Sequence, residues 1–261
     1  MVKISIVVIT KNNPRELDET LNSLDIQTHK QSLELIIVNG GEDIQFDLKK
    51  MNMRFKLLRD EGFGIYDAMN IGLRNSDGDH ILFLNSGDKL TNKTSIESII
   101  NLNLSPNYGY FLICKIVGSY FNWRIPSSPQ NIEKLNGVPV HQAILFNKKF
   151  YKINYYNTKF KIASDYDYKL RFFKYENVKF IPIEFSDHVL GGVSSSYTLK
   201  NFITISKELF EIDFTHNRPI NYLVNQFNII IKFSLYQFKL FKYIELLIKK
   251  KYSKSKYEFK I

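Results

Sequence analysis

One cysteine, Cys114, stands in 261 residues. No intramolecular disulfide can form, which excludes a small disulfide-built scaffold and makes a reducing compartment the expectation. Cys114 lies in the apolar run YFLICKIV (110–117) and reads as core rather than as a nucleophile. Cys and His pairs at zinc spacing are missing, and GEDIQFD lacks the spacing of a calcium-binding EF-hand. Neither GxGxxG nor GxxxxGK followed by Ser or Thr occurs, so the usual dinucleotide and P-loop signatures give no support. No apolar run is long enough to span a bilayer. The opening MVKISIVVIT has neither the apolar h-region nor the cleavage site of a signal peptide. Internal repeats are absent as well.

Charge, by contrast, is plentiful and uneven. Of the net +10, residues 215–261 carry +8, from nine Lys and one Arg against two Glu. The preceding residues carry only about +2, which argues against a generally basic, nucleic-acid-binding body. The tail interleaves Lys with apolar residues, and Phe227, Ile230, Ile231, Leu235 and Phe238 recur at helical spacing. Two readings follow: a basic amphipathic extension that contacts an anionic membrane surface, or a helical cap that docks on the domain with its lysines in water.

The first half alternates strand and helix. KISIVVIT (3–10), LELIIVN (33–39), FKLLRD (55–60) and HILFL (80–84) are apolar, β-branched runs fit for strands. Asn13-Pro14 offers an N-cap and an N1 proline ahead of Leu17, Leu21 and Leu24 on one helical face. IYDAMNIGLRN (65–75) reads as a helix despite Gly72. This order predicts an α/β fold with a doubly wound, mostly parallel sheet, whose ligands sit at the carboxyl ends of the strands. Thr10-Lys11-Asn12, Asn39-Gly40-Gly41 and Asn85-Ser86-Gly87-Asp88 all fall at such ends. One polar strand end is adequately explained as a turn. Three on one edge make a cleft.

The ordered segments SIVVITKNN, LIIVNGG, GIYDAMNIG, ILFLNSGD, VHQAILF, ASDYDYKLR and GGVS resemble the family-2 glycosyltransferases of GT-A fold, over about residues 3–196. The nearest likeness is to bacterial enzymes that build surface polysaccharides such as O-antigen or capsule. That resemblance implies a catalytic domain at 1–212 and a basic helical tail at 213–261 outside it. It implies that Thr10, Asn12, Asn39, Asn70 and Asn85 line the nucleotide pocket, with Asn39 where the family usually has an Asp that bonds the nucleobase. The stretch from Asn85 to Asp88 occupies the DxD site. Asp88 would then hold a divalent metal, Mn²⁺ or Mg²⁺, on the donor diphosphate, and His188 lies where related folds sometimes place a further metal ligand. Asp165 matches the catalytic base, and His141 lies where the acceptor approaches. An inverting transfer follows, from a nucleotide-sugar donor to a lipid-linked oligosaccharide. A cytoplasmic protein, peripheral on the inner face of the membrane, is implied too.

The chemistry asks for the same parts. A departing diphosphate needs a cation to offset its growing charge, and an acceptor hydroxyl needs a base within hydrogen-bond reach. Asp165 also stands where a helix starts, so an N-cap role is the competing reading. Asn39 bears on the donor base, because an amide both accepts and donates where a carboxylate only accepts. UDP is the expected nucleotide, with CDP, dTDP and GDP open. Gly64 lacks the basic side chain some relatives have, which leaves the metal, Lys89 or the Gly191-Gly192 loop with Ser194 to Ser196 to cover the diphosphate. Residues 103–140, Trp123 included, are expected to shape the acceptor pocket. A sugar-nucleotide pyrophosphorylase is the rival enzyme; TKNNPRE lacks the glycine-rich basic loop that chemistry requires.

Overall fold

The computed structural model describes residues 3–125, 140–190 and 198–253. Strands β1 (Ile4–Thr10), β2 (Leu33–Asn39), β3 (Arg54–Arg59) and β4 (His80–Phe83) run parallel in the order β3-β2-β1-β4. Beyond β4 the sheet continues through β8 (Ile144–Asn147), β6 (Gly109–Val117), β9 (Val178–Val189) and the two-residue β5 (Lys89–Leu90), while β7 (Asn122–Ile125) pairs with β6. Strand β8 is antiparallel to both its neighbours, and β6 and β9 run parallel to each other. The parallel half is the expected one. The antiparallel insertion is a second half added to it.

Alternation along β1 sorts two cores. Ile4, Ile6 and Val8 face Leu17, Leu21 and Leu24 of helix α1 (Pro14–Asp25), in a cluster that also takes Ile96 and Ile99 of α3 (Ser95–Ile100). Val7 faces the other way, in a cluster with Met69 and Leu73 of α2 (Ile65–Asn75) and with Tyr168 and Phe172 of α5 (Ser164–Tyr175). A short helix, α4 (Lys148–Tyr151), joins β8 to this second layer through Phe150. Gly72 now has its reason: a Cβ there would lie 2.4 Å from Val7 Cγ1, so helix α2 sits close on β1 only without a side chain. Asn13 precedes α1 but makes no side-chain cap bond, so Pro14 carries that helix start alone.

Three helices end the described chain: α6 (Leu199–Thr215), α7 (Pro219–Gln237) and α8 (Phe241–Ser253). The expected boundary at 212/213 falls inside α6. Its Leu209 and Ile212, with Ile229 of α7, close on Phe160, Ala163 and Leu170 around helix α5. Two buried carboxylates fasten these helices to the sheet domain. Glu208 accepts from the backbone N–H groups of Ile162 and Ala163 at 3.0 and 2.8 Å and also from Lys161. Glu245 of α8 accepts from those of Ser119, Tyr120 and Phe121 at 2.8 to 3.0 Å. Docking is thus the structure's answer for the inner faces of the tail. Among the described residues no helix is long and apolar enough to cross a membrane.

Candidate functional site

Register brings the polar strand ends together. Thr10 pairs with Asn39 across β1 and β2. On the other side of β1, the backbone N–H of Leu84 donates to Val7 O and that of Ser86 to Ile9 O, so the chain after β4 still tracks β1. Thr10 Oγ1 then meets Ser86 Oγ at 3.4 Å. The cleft opens where strand order reverses about β1, the usual ligand crevice of such sheets.

The first loops of this edge are tied to each other. Asn12 adopts φ 55°, and its Oδ1 accepts from the Glu42 N–H at 3.0 Å. A Cβ at Gly41 would meet that Oδ1 at 2.2 Å, so the two loops nest only with glycine. Asn39, 3% exposed, donates from Nδ2 to Glu42 O at 2.7 Å and accepts at Oδ1 from Gly41 N–H at 2.9 Å. One amide hydrogen and one lone pair remain on it. Asn70, 6% exposed, donates from Nδ2 to Tyr156 O at 3.0 Å and accepts at Oδ1 from Tyr156 N–H at 2.8 Å, so it braces α2 against the segment before α5 and keeps one amide hydrogen and one lone pair.

Asp88 and His188, the two residues expected at the metal, lie in contact. His188 Nδ1 lies 2.7 Å from Asp88 Oδ1, and Gln142 Nε2 donates to Asp88 Oδ2 at 2.9 Å. Gln142 was not foreseen. It is 2% exposed, and the only hint in sequence is its place beside His141 in VHQAILF.

Asp165 sits in the first turn of α5, one residue past its start. The cap position is Ala163, and no side-chain cap bond is made, so the N-cap reading of Asp165 does not hold. Its Oδ2 accepts from Lys169 Nζ at 3.0 Å and lies 3.8 Å from His141 Nδ1. Burial pushes the Asp165 carboxyl up, but the Lys169 ammonium and His141 outweigh it and hold the group well below the usual carboxylate range. Lys169 was also missed, although an i,i+4 Asp–Lys pair on a helix is a legible signal. Asp167 points away, to Arg171 and to His216 of the C-terminal helices.

A single turn joins the two carboxylates. His141 and Gln142 are consecutive in a 3₁₀ turn (His141–Ala143) before β8. His141 reaches Asp165 and, at 3.4 Å, the Asn85 amide, while Gln142 reaches Asp88 and His188. Asn85 Oδ1, on the amide beside His141, and Ser164 Oγ, next to Asp165 in the chain, are buried with no hydrogen-bond partner. Buried polar atoms of this kind are nearly always satisfied, and hydroxyl groups of a sugar are the complementary donors. Lys89, considered for the diphosphate, is engaged by Glu19 at 2.6 Å. The 191–196 loop, part of the 103–140 segment and the Trp123 side chain lie outside the described residues.

Known proteins resemble the chain in sequence and in fold. The "PGL/p-HBAD biosynthesis glycosyltransferase" of Mycobacterium tuberculosis is 25% identical over 215 residues, 76% of this chain and 82% of the relative. In fold the chain is similar to S. aureus TarS solved with UDP-GlcNAc, at a TM-score of 0.59 and 19% identity, over 81% of this chain and 66% of that one. It is also similar to a mannosyltransferase of Pyrobaculum calidifontis solved with GDP-Man and Mn²⁺, at 0.57 and 11%, over 80% and 64%. The chain spans less than two thirds of either solved protein. Those likenesses carry the fold, which is GT-A. Residues 5–180, from β1 through the carboxylate bridge and helix α5 into β9, match the description of glycosyl transferase family 2, and the chain belongs to that family of glycosyltransferases.

Proposed function

We propose that this glycosyltransferase moves a sugar, with inversion, from a nucleoside-diphosphate donor at the β1, β2 and β4 ends to an acceptor hydroxyl activated by Asp165. The observation that carries the reading is the His141-Gln142 bridge, which ties the Asp165 carboxylate to the Asp88–His188 pair through one turn. The acceptor hydroxyl passes its proton to Asp165 while its oxygen bonds the anomeric carbon. The bond from that carbon to the diphosphate breaks, and its electron pair leaves on the phosphate oxygen. No enzyme nucleophile intervenes, hence the inversion. Lys169 keeps Asp165 ionised and ready to accept.

A divalent cation, Mn²⁺ or Mg²⁺, fits the donor set. Among the described residues no three His, Cys, Asp or Glu side chains group as ligands. Asp88 and His188 would hold such an ion from the protein side, with diphosphate oxygens and water completing a hard, oxygen-rich shell. The ion supplies charge that offsets the leaving diphosphate. The Mn²⁺ in the Pyrobaculum enzyme supports this reading.

UDP is the favoured nucleotide, in keeping with the TarS complex. The amide at Asn39 keeps CDP, dTDP and GDP open, since its free N–H and lone pair suit either kind of base edge. A lipid-linked oligosaccharide of a bacterial surface polysaccharide, O-antigen or capsule, is the proposed acceptor, at the inner face of the cytoplasmic membrane.

The test is turnover of UDP-, CDP-, dTDP- and GDP-sugars with and without Mn²⁺, by wild type, Asp88→Ala and Asp165→Asn. Metal-dependent turnover of one donor is expected. Losing the base should cost about 10²–10⁴-fold with donor binding retained. If no donor turns over and none raises the melting temperature, the reading fails.

A further inference from the structure

Helix α7 has two apolar faces. Inward, Tyr222 and Phe233 pack on Phe210 and Phe202 of α6 at ring distances of 5.1 and 4.7 Å around the buried Ile229, while Asn225 Nδ2 donates to Asp213 Oδ2 at 2.9 Å and Gln226 Nε2 to Ser206 O at 3.1 Å. Away from them it presents Ile220, Leu223, Val224, Phe227 and Ile230, which are 74, 67, 43, 66 and 50% exposed. Those positions step by three and four residues, so they form one stripe about three turns long. Phe238, 76% exposed, follows at the helix end. A helix that served only to cap the domain needs the inward face alone, and this second apolar stripe is left uncovered.

We propose that this stripe seats the protein on an anionic bilayer, with α7 lying in the interface plane. Charge selects the occupant. Residues 215–261 carry net +8, and α7 contains no Asp or Glu. A second copy of the chain on this face would bring two strongly cationic segments together. A bilayer with anionic headgroups supplies an apolar layer for the stripe and opposite charge for the lysines, of which Lys239 and Lys242 are exposed just past the helix. Among the described residues no helix can cross the bilayer, so the contact is one of lying on the surface. The inference stands apart from the identity of donor and acceptor.

The experiment is cosedimentation of the full chain with vesicles of phosphatidylcholine, alone or mixed with phosphatidylglycerol, at low and high salt. The wild type is compared with a Leu223→Ser, Phe227→Ser double variant, whose sites are two-thirds exposed and whose fold is checked by circular dichroism. Expected are at least about tenfold stronger binding to the anionic vesicles, weakening with salt, and at least about tenfold loss in the variant. Equal binding to both vesicle types, or binding unchanged in the variant, overturns the proposal. So does a solution dimer of the wild type that the same substitutions dissolve, which would assign the face to a second copy.

Discussion

At the scale of single residues, the ion-paired state of Asp165 has a consequence for pH. Lys169 and His141 more than offset the cost of burying the carboxylate, so it stays ionised at any working pH. No inflection from Asp165 is therefore expected above about pH 4 in kcat/KM. Replacing Lys169 by Met removes the nearer positive charge and must raise the Asp165 pKa, which moves the acid limb upward; a pH–rate profile that stays in place would refute the pairing. Much of this site was legible. Thr10, Asn85 and Asp88 stand at strand ends that the alternating pattern locates, whereas Asp165 and His141 were singled out by the family resemblance. The bracing role of Asn70 was hidden, because nothing in IYDAMN reveals that the backbone of Tyr156, far along the chain, takes up part of its amide. Gln142 was hidden for the opposite reason, since its partners Asp88 and His188 come from two other elements.

Among elements, the contact of α2 with β1 is the tightest to test. Gly72→Ala puts a methyl 2.4 Å from Val7 Cγ1, and the overpacking should cost about 1–3 kcal/mol in urea unfolding. Helix α6 offers a second test. Glu208→Ala strips a carboxylate, 8% exposed, from the N–H groups of Lys161, Ile162 and Ala163. Each buried donor left unpaired costs about 1–3 kcal/mol, so a loss of about 3 kcal/mol or more is expected, and Glu208→Gln, which keeps one acceptor oxygen, should lose less. Strands β1, β2 and β4 were readable because each is a nearly continuous buried run, and β3, a half-exposed edge strand, because FKLL stands out between polar stretches. Strand β8 was not: its four residues, ILFN, are too short to show a period, and their antiparallel pairing is decided by β4 and β6. The tail was read as a separate unit for a similar reason. Periodicity marks an apolar face without saying what covers it.

For the whole molecule, the sheet domain and its C-terminal helices should stand or fall together. A chain ending at residue 212 would cut α6 and remove Asp213, which accepts from the Tyr166 hydroxyl at 2.8 Å, and His216, 2.9 Å from Asp167. Loss of a cooperative thermal transition is the expected result; a truncated chain melting like the full one would show the helices to be dispensable. Acid should act on the same whole. For Glu34, Asp165 and Asp167, burial alone would raise the carboxyl pKa, yet in each the partners win and lower it. Lowered folded values mean that the unfolded chain binds protons more readily, so these groups stabilise above about pH 4 and cease to as pH falls through their folded values. Melting temperature should hold level from neutral pH to about 5 and fall below about 4. The Glu208 clamp also sets an order of events on the ribosome. The strand ends that would grip a donor are all synthesised early, whereas the backbone leading into Asp165 is fastened only after Glu208 has emerged. The helix that presents Asp165 is held from outside its own sequence by Glu208, Asp213 and His216, so its start settles only when nearly the whole chain has been made.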